Sequence, residues 1–176
     1  MGTPAAQFRI EPLSSAHDRS RFVSGSMPLD RYLREQASQD IKRRIVTCFV
    51  AVDIVSQDVV GFYTLTATSI ALDALAPELT KKLPRYPLVS AALLGRLAIA
   101  AASSQGKGLG AALLADAFLR VARVEMGVYA MLVDAKHEAA QRFYERLGFI
   151  LLAGEQRRLA LPIATALRAM EGKGGN

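Results

Sequence analysis

The chain has 176 residues and a mass of 19.0 kDa, which suits one domain, and 51% hydrophobic against 22% charged residues excludes a disordered chain. No stretch reaches the roughly 18 apolar residues of a membrane-spanning helix, and Met1 to Pro12 lacks the basic and apolar regions of a secretory signal. One cysteine, Cys48, and two histidines exclude an internal disulfide and make a metal site a poor expectation, so a soluble, cytoplasmic protein without a metal or a membrane partner is expected.

The net charge of +6 biases the chain toward anionic partners. Lys42, Arg43 and Arg44 concentrate that charge, and taken alone they read either as a solvated helix end or as a nucleic-acid contact.

In chain order, Phe8 to Pro12 alternates as a short strand does. Asp18 to about Lys42 is polar and helical, with a start near Ser26, Pro28 and Asp30 and an apolar stripe of Leu29, Leu33, Ala37 and Ile41. Ile45 to Asp53 and Val59 to Ile70 are rich in β-branched and aromatic residues, and Ser56-Gln57-Asp58 between them predicts an antiparallel hairpin. Residues 72 to 92, broken by Pro77, Pro84 and Pro87, read as a loop with a short helix. Leu93 to Ala100 is a strand interrupted by Arg96, and a strong helix follows from Gly108 to Val124. Its periodicity turns Leu114, Phe118 and Val121 to the sheet and Asp116, Arg120 and Arg123 away from it. Tyr129 to Val133 is a strand, and Glu138 to Leu147 a helix with Ala139, Phe143 and Leu147 on one stripe, closed by Gly148 as a left-handed cap. Phe149 to Leu152 and Arg158 to Ile163 complete the sheet, and residues 171–176 form a flexible tail. The order of elements implies an α/β fold around one sheet of mixed direction.

Chemistry concentrates in Gln105-Gly106-Lys107-Gly108-Leu109-Gly110, a glycine-rich link from strand to helix. Such a link admits a ligand to the backbone and offers free N–H groups to phosphate oxygens. It is neither a Walker A loop nor a dinucleotide fingerprint, and by itself it reads equally as an anion site or as a surface turn.

The Gln-x-x-Gly-x-Gly spacing after an apolar strand resembles the acetyl-CoA loop of the GNAT N-acetyltransferases, and Phe143-Tyr144-Glu145-Arg146-Leu147-Gly148-Phe149 resembles their later helix-to-strand motif. The resemblance implies the GNAT fold, a mixed and mostly antiparallel sheet flanked by helices, as a single domain over residues 1–170. It implies acetyl-CoA as co-substrate, held by Gln105, Gly106, Lys107, Gly108, Leu109 and Gly110, with the pantetheine arm against a bulge at Leu97, Ala98 and Ile99. A backbone N–H of Leu97 or Ile99 would stabilise the tetrahedral oxyanion. Tyr144, about a quarter turn from an inward Phe143, is placed to protonate the departing thiolate. The loop opens with Gln105 in place of the more usual Arg, and Ala100 stands where many relatives carry an acid, so no side-chain base is nominated. An α-amino acceptor, with a pKa of about 7.7–8.0 in peptides, needs only a water to take its proton.

A narrower resemblance runs through Leu29-Asp30-Arg31-Tyr32-Leu33, Gly61-Phe62-Tyr63-Thr64-Leu65, Pro84-Arg85-Tyr86-Pro87, Gly95-Arg96-Leu97-Ala98-Ile99 and Met131-Leu132-Val133-Asp134-Ala135. It is to the GNAT toxins of type II toxin–antitoxin modules, the TacT-like enzymes, which acetylate aminoacyl-tRNA and block translation. It implies tRNA contacts at Arg85 and Arg96, then at Lys42, Arg43 and Arg44, a ribbon-helix-helix antitoxin and a homodimer. A GNAT acting on a small amine or a protein is the alternative. A non-catalytic CoA-binding or nucleic-acid-binding module, with Tyr144 only structural, is a third reading.

Overall fold

The computed structural model describes residues 7–102 and 108–174. Its elements are β1 (Phe8–Pro12), α1 (Met27–Arg31), a π-helical turn (Tyr32–Gln36), α2 (Ala37–Lys42), β2 (Thr47–Asp53), β3 (Val59–Ala71), a 3-10 turn (Leu72–Ala74), α3 (Pro77–Thr80), β4 (Leu88–Ile99), α4 (Leu109–Arg123), β5 (Ala130–Asp134), α5 (Glu138–Arg146), β6 (Ile150–Leu151), β7 (Arg158–Pro162) and α6 (Ile163–Lys173). The strand order is β1-β2-β3-β4-β5-β7-β6. The pairs β1–β2, β2–β3, β5–β7 and β6–β7 are antiparallel, and β4 runs parallel to β5. The expected mixed α/β sheet with flanking helices is therefore present. The chain packs as two compact units, one drawn from Met1–Thr66 and Gly95–Ala117, the other from Ala67–Leu94 and Phe118–Asn176. No helix among the described residues is long and apolar enough to cross a membrane.

In the first unit the β2–β3 hairpin forms as its sequence predicts, with the Asp53 carboxylate accepting the Val55 and Ser56 N–H groups and Gln57 in the left-handed region. Val59 to Thr64 are buried without alternation, as in a strand covered on both faces. One face packs Phe62 against the rings of Phe22 and Tyr32, with centroids 5.7 and 6.4 Å apart. The other face meets α4, where the Tyr63 hydroxyl donates to Asp116 at 2.6 Å. This corrects the outward placement of Asp116: Tyr63 reaches across and draws the carboxylate inward.

Gly61 makes that close approach possible. A methyl on its Cα would stand 3.0 Å from Leu113 Cδ1 and 3.3 Å from the Ala98 carbonyl oxygen, and Leu113 is fully buried with no room to turn away. Gly61→Ala is expected to cost about 1–3 kcal/mol through overpacking, read as a lower denaturation midpoint. A midpoint equal to wild type would overturn the close-packing argument.

The helix starts at Met27 with Ser26 at its cap, near the expected position, but it divides, because a π turn separates α1 from α2. The Ala37 N–H bonds back to the Tyr32 carbonyl, five residues earlier. A stripe repeating every four residues drifts by roughly 40° per step on a 3.6-residue helix. The wider turn absorbs that drift and keeps Leu29, Leu33 and Ala37 all buried.

In the second unit β5 is buried from Ala130 to Val133, paired in parallel with Ala91–Leu94 of β4 and antiparallel with β7. Ile70, Leu75, Leu132 and Leu152 centre a core that Leu79 and Leu83 help to cover. Two boundaries differ from expectation. β4 begins at Leu88, since Pro87 breaks the chain only once and the strand resumes directly after it. Ile163 opens α6, which runs through Glu171 to Lys173 where composition suggested a tail.

Candidate active site

The first component is the start of α4. Gln105, Gly106 and Lys107 lie outside the described residues. Gly108 has φ +71°, a left-handed conformation that favours glycine, with open space around it. Its carbonyl accepts the Ala112 N–H at 3.0 Å, so the N–H groups of Leu109, Gly110 and Ala111 are the first-turn donors that the helix itself does not use. Leu109 is buried and approaches Gly61, which anchors this turn. Donors of this kind, at the positive end of a helix dipole, suit a phosphate. Ala111 was missing from the expected set. Counting three residues on from a Gly108 cap would have found it.

The second component is the C-terminal half of β4. Its parallel ladder with β5 covers Ala91–Leu94, so the backbone of Leu97, Ala98 and Ile99 lies beyond that ladder. Ala98 is buried while Leu97 and Ile99 are half-buried. The chain that follows is tied by Ala100 N–H to the Val60 carbonyl at 2.8 Å and by Ala101 N–H to the Val23 carbonyl at 2.9 Å.

The third component is Tyr144 on α5. His137 caps the helix start, its ring nitrogen accepting the Ala140 N–H at 3.1 Å. At the other end Phe149 N–H bonds to the Tyr144 carbonyl at 3.1 Å and Gly148 N–H to the Glu145 carbonyl at 3.0 Å. With Gly148 at φ +99°, this is a Schellman cap, and the left-handed glycine read from the sequence is in place. The cap brings the Phe149 ring to 5.3 Å from that of Tyr144. The inward residue is therefore Tyr144, only 7% exposed, while Phe143 is half-buried and Ala139 exposed. The expected Ala139–Phe143–Leu147 stripe is rotated because the cap pulls Tyr144 onto Phe149. Burial pushes the phenol up to about 12, so it stays protonated, and its hydroxyl bonds to none of the described residues. A phenol so placed can give a proton.

The basic candidates separate. Arg96 lies with its guanidinium 3.6 Å from the centre of the Tyr32 ring, and the Tyr32 hydroxyl donates to Asp40 at 3.0 Å. An arginine in an apolar strand thus finds a cation–π partner. Lys42, Arg43 and Arg44 are exposed and close α2. Ile45 N–H bonds to the Asp40 carbonyl and Arg44 N–H to the Ile41 carbonyl, which is again a Schellman cap, here with Arg44 at φ 59° in the glycine position. The positive run complements the helix dipole. Arg44→Gly is expected to raise stability by about 1 kcal/mol by removing the left-handed penalty, and an unchanged or lower unfolding free energy in urea would refute it. Arg85 is exposed on the segment between α3 and β4.

A family model described as an acetyltransferase (GNAT) domain matches residues 44–151. A tRNA-acetylating toxin of Mycobacterium tuberculosis is 36% identical over 162 residues, covering 91% of this chain and 94% of that protein. Among solved structures, AtaT complexed with acetyl-methionyl-tRNAfMet is similar at TM-score 0.84 and 31% identity, covering 93% of this chain and 99% of that one. A tyrosine-to-phenylalanine mutant of the AtaT toxin, bound to the C-terminus of the antitoxin AtaR and to acetyl-CoA, is similar at TM-score 0.76 and 27% identity, covering 93% and 98% of the two chains.

Proposed function

Because this chain belongs to the GNAT acetyltransferase family, we propose that its N-acetyltransferase activity carries acetyl from acetyl-CoA to the α-amino group of aminoacyl-tRNA, and that it blocks translation as a toxin. The observation that carries the chemistry is Tyr144, a buried phenol held protonated with no hydrogen bond to the described residues. The similarity to a tRNA-acetylating toxin over nearly the whole chain supports the acceptor.

The roles follow from the groups available. The first-turn N–H groups of Leu109, Gly110 and Ala111, which the helix itself does not use, bind the cofactor pyrophosphate, with Gln105, Gly106, Lys107 and Gly108 leading into them. The backbone of Leu97, Ala98 and Ile99 pairs with the pantetheine arm, and an N–H of Leu97 or Ile99 polarises the thioester carbonyl. The neutral amine attacks that carbon, the C–S bond breaks as Tyr144 gives its proton to the sulfur, and water relays the proton lost by the nitrogen back to the Tyr144 phenolate, leaving the amide and the CoA thiol. Arg85, with Lys42, Arg43 and Arg44, contacts tRNA phosphates. Arg96, already stacked on Tyr32, ranks behind them.

Residues 1–170 make one GNAT domain in this reading. The protein acts in the cytoplasm, where charged tRNA is found, as a homodimer neutralised by a ribbon-helix-helix antitoxin. The test is transfer of labelled acetyl from acetyl-CoA to a pool of aminoacyl-tRNA, with deacylated tRNA as control. Label on the amino acid and none on the control supports the reading. Acetyl-CoA turnover on amines or proteins with charged tRNA unlabelled would refute it.

A further inference from the structure

Lys81, Lys82, Arg85 and Tyr86 all lie at the surface between α3 and β4, in the second unit. Tyr86 is 65% exposed, and its side chain has neither a ring contact nor a hydrogen bond to the described residues. It is nevertheless held on a fixed backbone. Its N–H donates to the Pro84 carbonyl at 2.9 Å, the Pro87 carbonyl accepts the Leu72 N–H at 3.0 Å, and the two prolines restrict the chain further. Beside it opens a cavity of about 750 Å³ whose lining includes Asp73, Lys81, Leu83, Arg85 and Pro87.

The combination narrows the ligand. A free aromatic face next to cations accepts a flat, anionic partner, and every nucleobase has such a face. Asp73 disfavours a bare phosphate, but its carboxylate accepts an amino group of a base or a ribose hydroxyl. In a duplex the base faces are stacked on one another, so the fit is to an unpaired nucleotide. We propose that Tyr86 is the stacking platform for a base in the single-stranded 3′ end of the charged tRNA, with Lys81 and Arg85 on the adjoining phosphates and Asp73 on the base edge or ribose. The inference rests on the aminoacyl-tRNA reading above and adds a binding residue to it.

The experiment uses the full chain and a four-nucleotide single-stranded RNA carrying 2-aminopurine, whose fluorescence is quenched on stacking. Wild type and Tyr86→Trp quench the probe. Tyr86→Ala binds it roughly tenfold more weakly, the scale of one base–aromatic stack, and raises KM for aminoacyl-tRNA by a similar factor, with the acetyl-CoA Kd unchanged. Equal quenching and equal KM in wild type and Tyr86→Ala overturn the proposal. So does a Tyr86→Ala variant that handles RNA normally but loses capture by the antitoxin's C-terminal segment, which would assign the surface to a peptide. If wild type quenches the probe yet leaves charged tRNA unlabelled, the substrate reading falls with the tRNA end as occupant, while the stacking platform is supported.

Discussion

Tyr144→Phe folds, binds acetyl-CoA with wild-type affinity and transfers acetyl roughly 10²–10⁴-fold more slowly, the range set by loss of a general acid. The substitution keeps the ring, so the contact with Phe149 at 5.3 Å and the Schellman cap that enforces it persist. Among the described residues no partner is left unpaired, because the hydroxyl bonds to none of them. The loss therefore falls on kcat, and near-normal turnover would reject Tyr144 as the acid. The pH profile gives a second reading. A phenol with its pKa raised from the ordinary 10 to about 12 keeps its proton through mildly alkaline conditions, so the shift extends the active window upward. The rate rises as the acceptor amine loses its proton, below about pH 8, and then stays level. A falling limb near pH 9 to 10 that disappears in Tyr144→Phe would contradict the burial argument.

Gly108→Val weakens acetyl-CoA binding by about 5- to 30-fold and leaves Tyr144 chemistry intact at saturating cofactor. At φ +71° a residue with a Cβ pays a left-handed penalty of roughly 1–2 kcal/mol, and a β-branched one pays the upper end. No described atom lies within 4 Å of the added carbon, so the strain is relieved by moving the backbone. That backbone caps α4 and orients the N–H groups of Leu109, Gly110 and Ala111. Calorimetric titration with acetyl-CoA checks the prediction, and an unchanged Kd would remove this helix start from the cofactor site.

Much of this was legible because some residues carry conformational demands of their own. Gly148 had to follow α5 in a left-handed turn, Ser56-Gln57-Asp58 had to reverse β2 into β3, and Leu114, Phe118 and Val121 kept a helical period that nothing overrode. What was not legible depends on partners far away in sequence. Asp116 sits on the polar side of α4 by periodicity, and a tyrosine 53 residues earlier turns it inward. Phe143 is the more apolar residue, yet Tyr144 is buried because Phe149 captures it. Arg96 stands out in the sequence only as a break in an apolar strand, and the stacking on Tyr32 has no local signal at all. The π turn follows from a four-residue stripe, a pattern that a helical wheel drawn at 3.6 residues per turn blurs.

The two units differ in when their residues become available. Everything in the first, through Ala117, leaves the ribosome before any of Phe118–Asn176, whereas the second needs the whole of that later stretch. Its strand β7 lies between β5 and β6 and is the last strand to be synthesised. Because compact units fold as wholes and in order of synthesis, α5 gains its final surroundings only after β7 has been made. A nascent chain therefore has the helix start at Gly108 before it has a seated Tyr144, and the two parts are completed in that order.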